Sequence, residues 1–479
     1  MTKTRDTASG STKKKFGGQT KLEAHTSGVT VTGNISATGT VDGRDVAADG
    51  TKLDTVATSS NNYVHPTGAG NNHIPTGGAA DQVLTYSSSG VAAWADAGGA
   101  DLYAANESSP SAQPSATGAN AIAIGDSSTA GGNYAAAMGS FSVAGGVNAF
   151  SGLGTANGDY AVAVGVSSQA NSERAIALGN GAITAAVKAV GIGYQSNAAG
   201  TSAVSIAKSY ASGTDSLAAI ITNNTSSYGA TGSNSVAMVR FAKASGPDSL
   251  AFGRTSQATS AYAVAMGYNC LSSANYSVAL GYQAQATGSN AFAAGASSTY
   301  QERANATAAG AVALGGAYAN GTDSVAIGAS AKSTEIGKIS FSNDKFAANG
   351  DSQGGLFILR ADTTDATATV LTTNNSSAGS TNQIVAVRDA RITFSGTIVA
   401  MQNGAQAYGS WEIKGLLVND GGTTTVPTSA ITVIHNSSSW GLALSADNTN
   451  NALTVQVTGE ASHNIRWVAN IQTAEVTYA

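Results

Sequence analysis

Gly350-Asp-Ser-Gln-Gly354 fits the G-x-S-x-G pattern of a serine nucleophile, and His435 and His463 are the histidines that could serve it. The chemistry would be acyl transfer, which needs the serine on a sharp turn between a strand and a helix. Here Phe346-Ala-Ala-Asn349 precedes the motif and the apolar run Leu356-Phe-Ile-Leu359 follows closely, so it reads as a glycine-rich turn. Glycoside hydrolysis would need two carboxylates across a groove. Asp126, Asp159, Glu173, Asp215, Asp248, Glu302 and Asp323 are scattered on turns, and only two chains side by side could pair them. Glu173-Arg174 and Glu302-Arg303 read as solvated ion pairs. The single Cys270 excludes an internal disulfide framework and a cysteine metal site, and reads as a buried small residue. His65 and His73, beside Pro66 and Pro75, read as turn histidines, although three chains around an axis would bring them into rings of imidazoles. No phosphate loop, dinucleotide fingerprint or metal spacing stands in a supporting context. The expectation is no enzyme, no cofactor and no metal.

Aromatic side chains remain. Trp411, Trp440 and Trp467 gather late in the chain with Tyr408, His435 and His463. Aromatic faces suit sugars, but a core role comes first for each tryptophan. Trp440 directly follows the polar Asn436-Ser-Ser-Ser439 and is the one expected to be exposed. Trp440, His435, Tyr408 and His463 are therefore the candidate binding residues.

The elements that must position them begin with a repeat. A phrase of Ala or Ser, apolar, Ala, apolar, Gly recurs, as in Ala121-Ile-Ala-Ile-Gly125, Ala161-Val-Ala-Val-Gly165, Ala263-Val-Ala-Met-Gly267 and Ser324-Val-Ala-Ile-Gly328. The closing residue falls at 125, 139, 154, 165, 179, 193, 207, 221, 239, 253, 267, 281, 295, 315 and 328, and nine of the fourteen intervals are 14 residues. The glycine markers are Gly125, Gly139, Gly165, Gly179, Gly193, Gly253, Gly267, Gly281, Gly295, Gly315 and Gly328; Ala207, Ile221 and Val239 depart. The irregular intervals 150–165 and 295–315 predict loops or bulges. A period this short means a solenoid. Spacing of two within the phrase is strand spacing. A more polar half follows, as in Ser128 and Ala130 or Ser168 and Ala170, so each unit reads as strand, turn, strand, turn. Fourteen ordered residues lose roughly 1–2 kcal/mol each in backbone entropy, against about 1.5–3 kcal/mol per buried apolar side chain. One coil cannot hold itself, so neighbouring coils and neighbouring chains must.

Phrase and period together resemble the head repeats of trimeric autotransporter adhesins, the YadA-like head. That resemblance implies a left-handed parallel β-roll in which three chains pack side by side. The same repeat also occurs in phage tail fibres. Val41-Asp-Gly-Arg-Asp-Val-Ala-Ala-Asp-Gly-Thr-Lys-Leu-Asp54, and Tyr63-Val-His-Pro-Thr-Gly through His73-Ile-Pro-Thr-Gly77 with Gln82-Val-Leu-Thr-Tyr86 and Trp94, resemble shaft segments of such fibres. Phe357-Ile-Leu-Arg360, Trp411-Glu-Ile-Lys-Gly-Leu-Leu417 and Ile465-Arg-Trp-Val-Ala469 more loosely resemble their C-terminal domains. The implied function is a virion protein: a homotrimeric tail fibre that docks on a tail or baseplate adaptor through its N-terminus. A host surface glycan or outer-membrane protein would be bound through its C-terminus. The alternatives are a bacterial trimeric surface adhesin and a polysaccharide depolymerase tailspike. Met1-Thr-Lys-Thr-Arg-Asp6 has no apolar signal core, no heptad stalk or membrane anchor is found, and no run of 18 apolar residues occurs. A particle assembled in the host cytoplasm is thus expected over an exported adhesin.

Composition agrees with a fibrous β protein. Of 479 residues 58 are Gly and only 6 Pro, which excludes collagen and proline-rich linkers, and 11% charge leaves a surface of Ser, Thr, Asn and Gln. A net charge of −5 carries no nucleic-acid footprint. The expected order is a flexible basic attachment segment (1–27), a β shaft and linker (28–118) with short strands around Val29, Val31, Ile35 and Val41, the roll (119–335), and an antiparallel β-sandwich tip (336–479). Its strands alternate apolar and polar, as in Leu453-Thr-Val-Gln-Val457, between turns such as Asn419-Asp-Gly-Gly422.

Overall fold

The computed structural model describes residues 77–80, 82–88, 91–96, 112–296, 303–404 and 406–478, with short strand pairs nearer the N-terminus. Every element among them is a strand. The chain divides into two units, Met1–Leu102 and Tyr103–Ala479.

In the first unit Lys13–Phe16 pairs antiparallel with Gln19–Leu22, Thr40–Val41 with Arg44–Asp45, and Gln82–Ser88 with Val91–Asp96. A hairpin therefore lies within the segment expected to be flexible. Val29, Val31, Ile35, His65 and His73 lie outside the described residues.

The second unit opens with the solenoid. Two parallel ladders run side by side. One stacks the phrase strands from Ile122–Ile124 to Ile339–Ser342; the other is a 16-stranded sheet from Ser115–Ala116 to Lys332–Ser333. Sixteen coils at about 4.8 Å each rise roughly 70–75 Å. The roll begins before residue 119, since Ser115–Ala116 already pairs with Thr129–Ala130. It also ends later than expected, since Ile339–Ser342 pairs in parallel with Val325–Gly328.

The ladder corrects two markers. Phe150–Gly152 and Leu217–Ala219 pair in register with their neighbours, so the closing residues are Leu153 and Ile220, not 154 and 221. Ten of the eleven glycine markers have φ between +81° and +132°, while Leu153, Ala207, Ile220 and Val239 hold φ of 61°, 59°, 56° and 81°. The cause is stacking. A Cβ on Gly267 would run into the carbonyl oxygen of Gly281 one coil on, and one on Gly253 into that of Gly267. Each of the four side chains at this place borders an interval other than 14 residues.

All variation in repeat length falls on one side. Five residues join the second strand of each coil to the next phrase throughout, as Gly131–Ala135 and Asn320–Ser324 do. The opposite turn is normally four residues, but shrinks to Leu153-Gly154 and grows to the nine residues 220–228. The loop expected at 150–165 is thus a shortened turn that interrupts neither ladder.

The interior is nearly all Ala and Ser. Ala137, Ala163, Ala177, Ala237 and Ala265 of the phrase are fully buried, as are Ala130, Ala170, Ala198 and Ala258 opposite. Ser142 and Ser256 donate their hydroxyls to Gly139 O and Gly253 O, both at 2.9 Å, which satisfies them inside. Cys270 takes the equivalent place, buried, and burial pushes its thiol above the ordinary value. The larger apolar pair points outward. Ile192, Ile206, Phe252, Met266, Ile327 and Phe341 are all exposed. The outward residues of the other ladder are mostly Thr, Gln, Asn and Lys, as Thr155, Gln169, Lys243 and Gln257 show.

Beyond the last coil the phrase ladder continues as an antiparallel sheet. Its order is Ile339–Ser342, Ser352–Thr363, Ile465–Thr477, Ala390–Gln402, Tyr408–Asp420, Thr423–Asn436. A smaller antiparallel sheet is built on Ala452–Thr458, with Gly441–Asp447 on one edge and Ala368–Val370 and Ile384–Val385 on the other. The two share one core. Phe357, Leu359, Phe394, Ile398, Trp411, Ile413, Trp467 and Ile471 come from the large sheet, and Leu453, Val455, Val457 and Ile384 from the small one.

Candidate functional site

The four candidate binding residues fall at one end of the large sheet, because Met401 faces Tyr408, Gln402 faces Ile465 and Gly409 faces Asn436 in the register. Tyr408 and His435 come together. Their rings stack at 4.6 Å with 20° between planes, and Tyr408 is 53% exposed. They lie on the two strands farthest from the roll in pairing order. Ser437 ties the corner, donating its hydroxyl to Tyr408 O (2.9 Å) and accepting from Tyr408 N (2.8 Å). On the same face, Ser395, Thr397, Glu412, Lys414 and Thr432 line a shallow depression. It offers hydroxyls, one carboxylate and one ammonium beside the aromatic pair. His463 sits on the turn before the last strand with Nδ1 3.1 Å from Glu460 Oε2.

Trp440 is the correction. It is 4% exposed, with its ring tilted against Trp467 at 5.6 Å, and Trp467 stacks on Trp411 at 5.5 Å. The polar run before it does not keep it outside. Asn436 donates Nδ2–H to Trp440 O (3.1 Å), and this folds the chain over so that the indole drops between the sheets. All three tryptophans here are core.

Ser352 is no elbow. It opens a strand, and its hydroxyl donates to Asp344 O at 2.7 Å. Asp351 beside it organises the turn, accepting the N–H groups of Phe346, Ala347 and Ala348 at 2.9, 2.6 and 2.7 Å. Burial works against its charge, yet the three donors hold the carboxyl below the usual range.

The sequence reading missed a buried charge cluster where roll meets sheet. Lys338 Nζ lies 3.3 Å from Glu335 Oε2 and 2.9 Å from Glu475 Oε2, and Gln353 donates to the latter at 2.7 Å. Burial alone would lower the Lys338 pKa; the two carboxylates outweigh it and hold the ammonium above its ordinary value. The contact is thus present through neutral pH and lost only as alkaline pH passes the raised folded value. Lys338→Met strands two buried carboxylates, for an expected loss of about 3–5 kcal/mol. Tryptophan fluorescence during thermal unfolding checks it, since three of the four tryptophans sit in this domain.

A family model described as "YadA head domain repeat (2 copies)" matches residues 116–149, 156–182, 244–269, 272–298, 315–331 and 319–336. The chain carries YadA head repeats. No curated protein sequence matches it. Among solved structures, "Crystal structure of Acinetobacter baumannii phage AM24 tailspike protein" matches with 7% identity and a TM-score of 0.16, over 72% of this chain and 62% of that one. The chain thus spans less than two thirds of that tailspike's length.

Proposed function

We propose that the protein is a homotrimeric attachment fibre of a phage tail, a left-handed roll serving as a stiff spacer between a tail-bound N-terminus and a receptor-binding tip. Its role is adhesive rather than catalytic. The observation that carries the tip assignment is the exposed Tyr408–His435 stack beside a hydroxyl-, carboxylate- and ammonium-lined depression, on the strands farthest from the coils. Such a surface suits a glycan: a ring face for stacking and mixed polar groups for hydroxyls. Three tips on one fibre raise the effective concentration of the second and third contacts and turn weak binding into firm attachment. The trimer is supported by the YadA head repeats and by the outward apolar row of the roll. The fibre resemblance in 41–94 favours a virion protein over a cell-surface adhesin.

The test uses the full chain, fluorescently labelled, against a panel of bacterial strains. Native protein should stain a subset. Tyr408→Ala should weaken that staining about tenfold or more, because a modest loss per tip is compounded over three tips, with no change in melting temperature. Staining equal to native would remove the assignment.

A further inference from the structure

Three consecutive coils carry matching groups at the two edges of the roll's apolar face. Asp248, Tyr262 and Tyr276 hold the fourth place of the five-residue connection, just before the phrase. Arg254, Tyr268 and Tyr282 directly follow the markers Gly253, Gly267 and Gly281, on the outward side by strand alternation. Each set is stacked coil on coil. Tyr262 N–H donates to Pro247 O (2.9 Å) and Tyr276 N–H to Ala261 O (3.1 Å), and the two rings lie parallel at 4.8 Å. At the other edge Asn269 N–H donates to Arg254 O (2.9 Å) and Gln283 N–H to Tyr268 O (2.7 Å), and the Tyr268 and Tyr282 rings stack at 5.0 Å. Within one chain the two sets cannot meet, since the strand between Asp248 and Arg254 holds them roughly 15–20 Å apart. Among the described residues neither has an opposite charge beside it. Asp248 accepts from Asn234 Nδ2 (3.0 Å), and Arg254 lies over the Tyr268 ring.

From these edges we infer that the chains of the fibre join edge to edge, the Asp–Tyr–Tyr set of each against the Arg–Tyr–Tyr set of the next. Three identical chains running the same way around one axis bring equal coils to equal heights. With the apolar faces turned inward, the leading edge of each face reaches the trailing edge of its neighbour, a head-to-tail contact that closes as a ring. Asp248 then meets Arg254 of the next chain, carboxylate against guanidinium. Tyr262 and Tyr276 meet Tyr268 and Tyr282 of the next chain, ring against ring. Other coils agree. Lys188 shares its coil with Tyr194 and Arg174 with Asn180, and no coil carries like charges at its two edges. This rests on the trimer proposed above and names the contacts that set the order of its chains.

Cysteine cross-linking of the full chain tests it in a Cys270→Ser background, serine being the residue found at that place in other coils. Asn234→Cys and Arg240→Cys mark the two edges of the neighbouring coil and leave both sets intact. A bis-maleimide too short to span one strand should convert the double variant into covalent trimers on denaturing gels, because each chain then carries a thiol at both seams. Either single variant should stay uncross-linked. A double variant that sediments as three chains yet gives no covalent product would overturn the seam and leave the trimer standing. Dimers from a single variant would set like edge against like edge and overturn it too. A native chain that sediments alone would overturn trimer and seam together. Charge exchange gives a second readout. Arg254→Asp should lower the melting temperature, and Asp248→Arg added to the same chain should restore it, a rescue that only contact between chains allows. No recovery in the exchanged variant would overturn the Asp248–Arg254 pairing.

Discussion

Gly267→Ala is expected to be among the most damaging single substitutions in the roll. Gly267 has φ of 125° and sits between coils of regular 14-residue spacing. A methyl group there meets the Gly281 carbonyl, a backbone atom that cannot swing aside. To relieve it, φ must fall toward the 81° of Val239 or below, but Val239 has an irregular interval beside it and Gly267 does not. Strain of this kind costs about 1–3 kcal/mol, and loss of ladder bonds to both neighbours adds to it, so about 3 kcal/mol or more per chain is expected. Circular dichroism during thermal unfolding, with limited proteolysis to locate the opened coils, checks it. Gly337→Ala is the control: its φ is 67°, which alanine reaches more readily, and a Cβ there meets nothing. Equal melting temperatures for the two variants would mean that stacking does not demand the glycine.

Met266→Glu is the second large effect, and it separates one chain from three. Met266 is 38% exposed on a single chain, so a carboxylate there would cost an isolated roll little. Against two sister copies the same change buries three like charges around one axis. Removing the apolar contact and adding unpaired buried charge costs several kcal/mol. The expected result is dissociation into single chains at low micromolar concentration, with loss of the folded roll. Gln257→Glu, on the polar outer ladder, should leave assembly unchanged.

Much of the roll was legible. Apolar residues at two-residue spacing, such as Val264 and Met266, gave strands, and the 14-residue interval gave coils. The burial sense was harder to read. In an isolated strand, nothing tells Val-Ala-Met whether the large or the small side chains face in; here Ala265 does, because a two-ladder coil is too thin to hold more. The marker at 154 misled because glycine was taken as the sign of the position, while the ladder places Leu153 there. In the tip, Trp440 was misread for a related reason. The polarity of Asn436-Ser-Ser-Ser439 describes a turn, not the direction of the residue after it. Lys338 and Glu475 stand 137 residues apart, and no local pattern announces such a pair. The Tyr408–His435 stack was foreseen as two residues in one region, not as a contact, which depends on the register of two neighbouring strands.

A thin roll with small residues inside and large apolar ones outside is stable in water only with its apolar row covered. Sedimentation velocity of the purified native chain, run beside Met266→Glu, tests this most directly. Native protein should sediment as an elongated particle of three chains with no single-chain boundary at micromolar concentration, and Met266→Glu should lose that particle. A native chain that sediments alone and fully folded would contradict it.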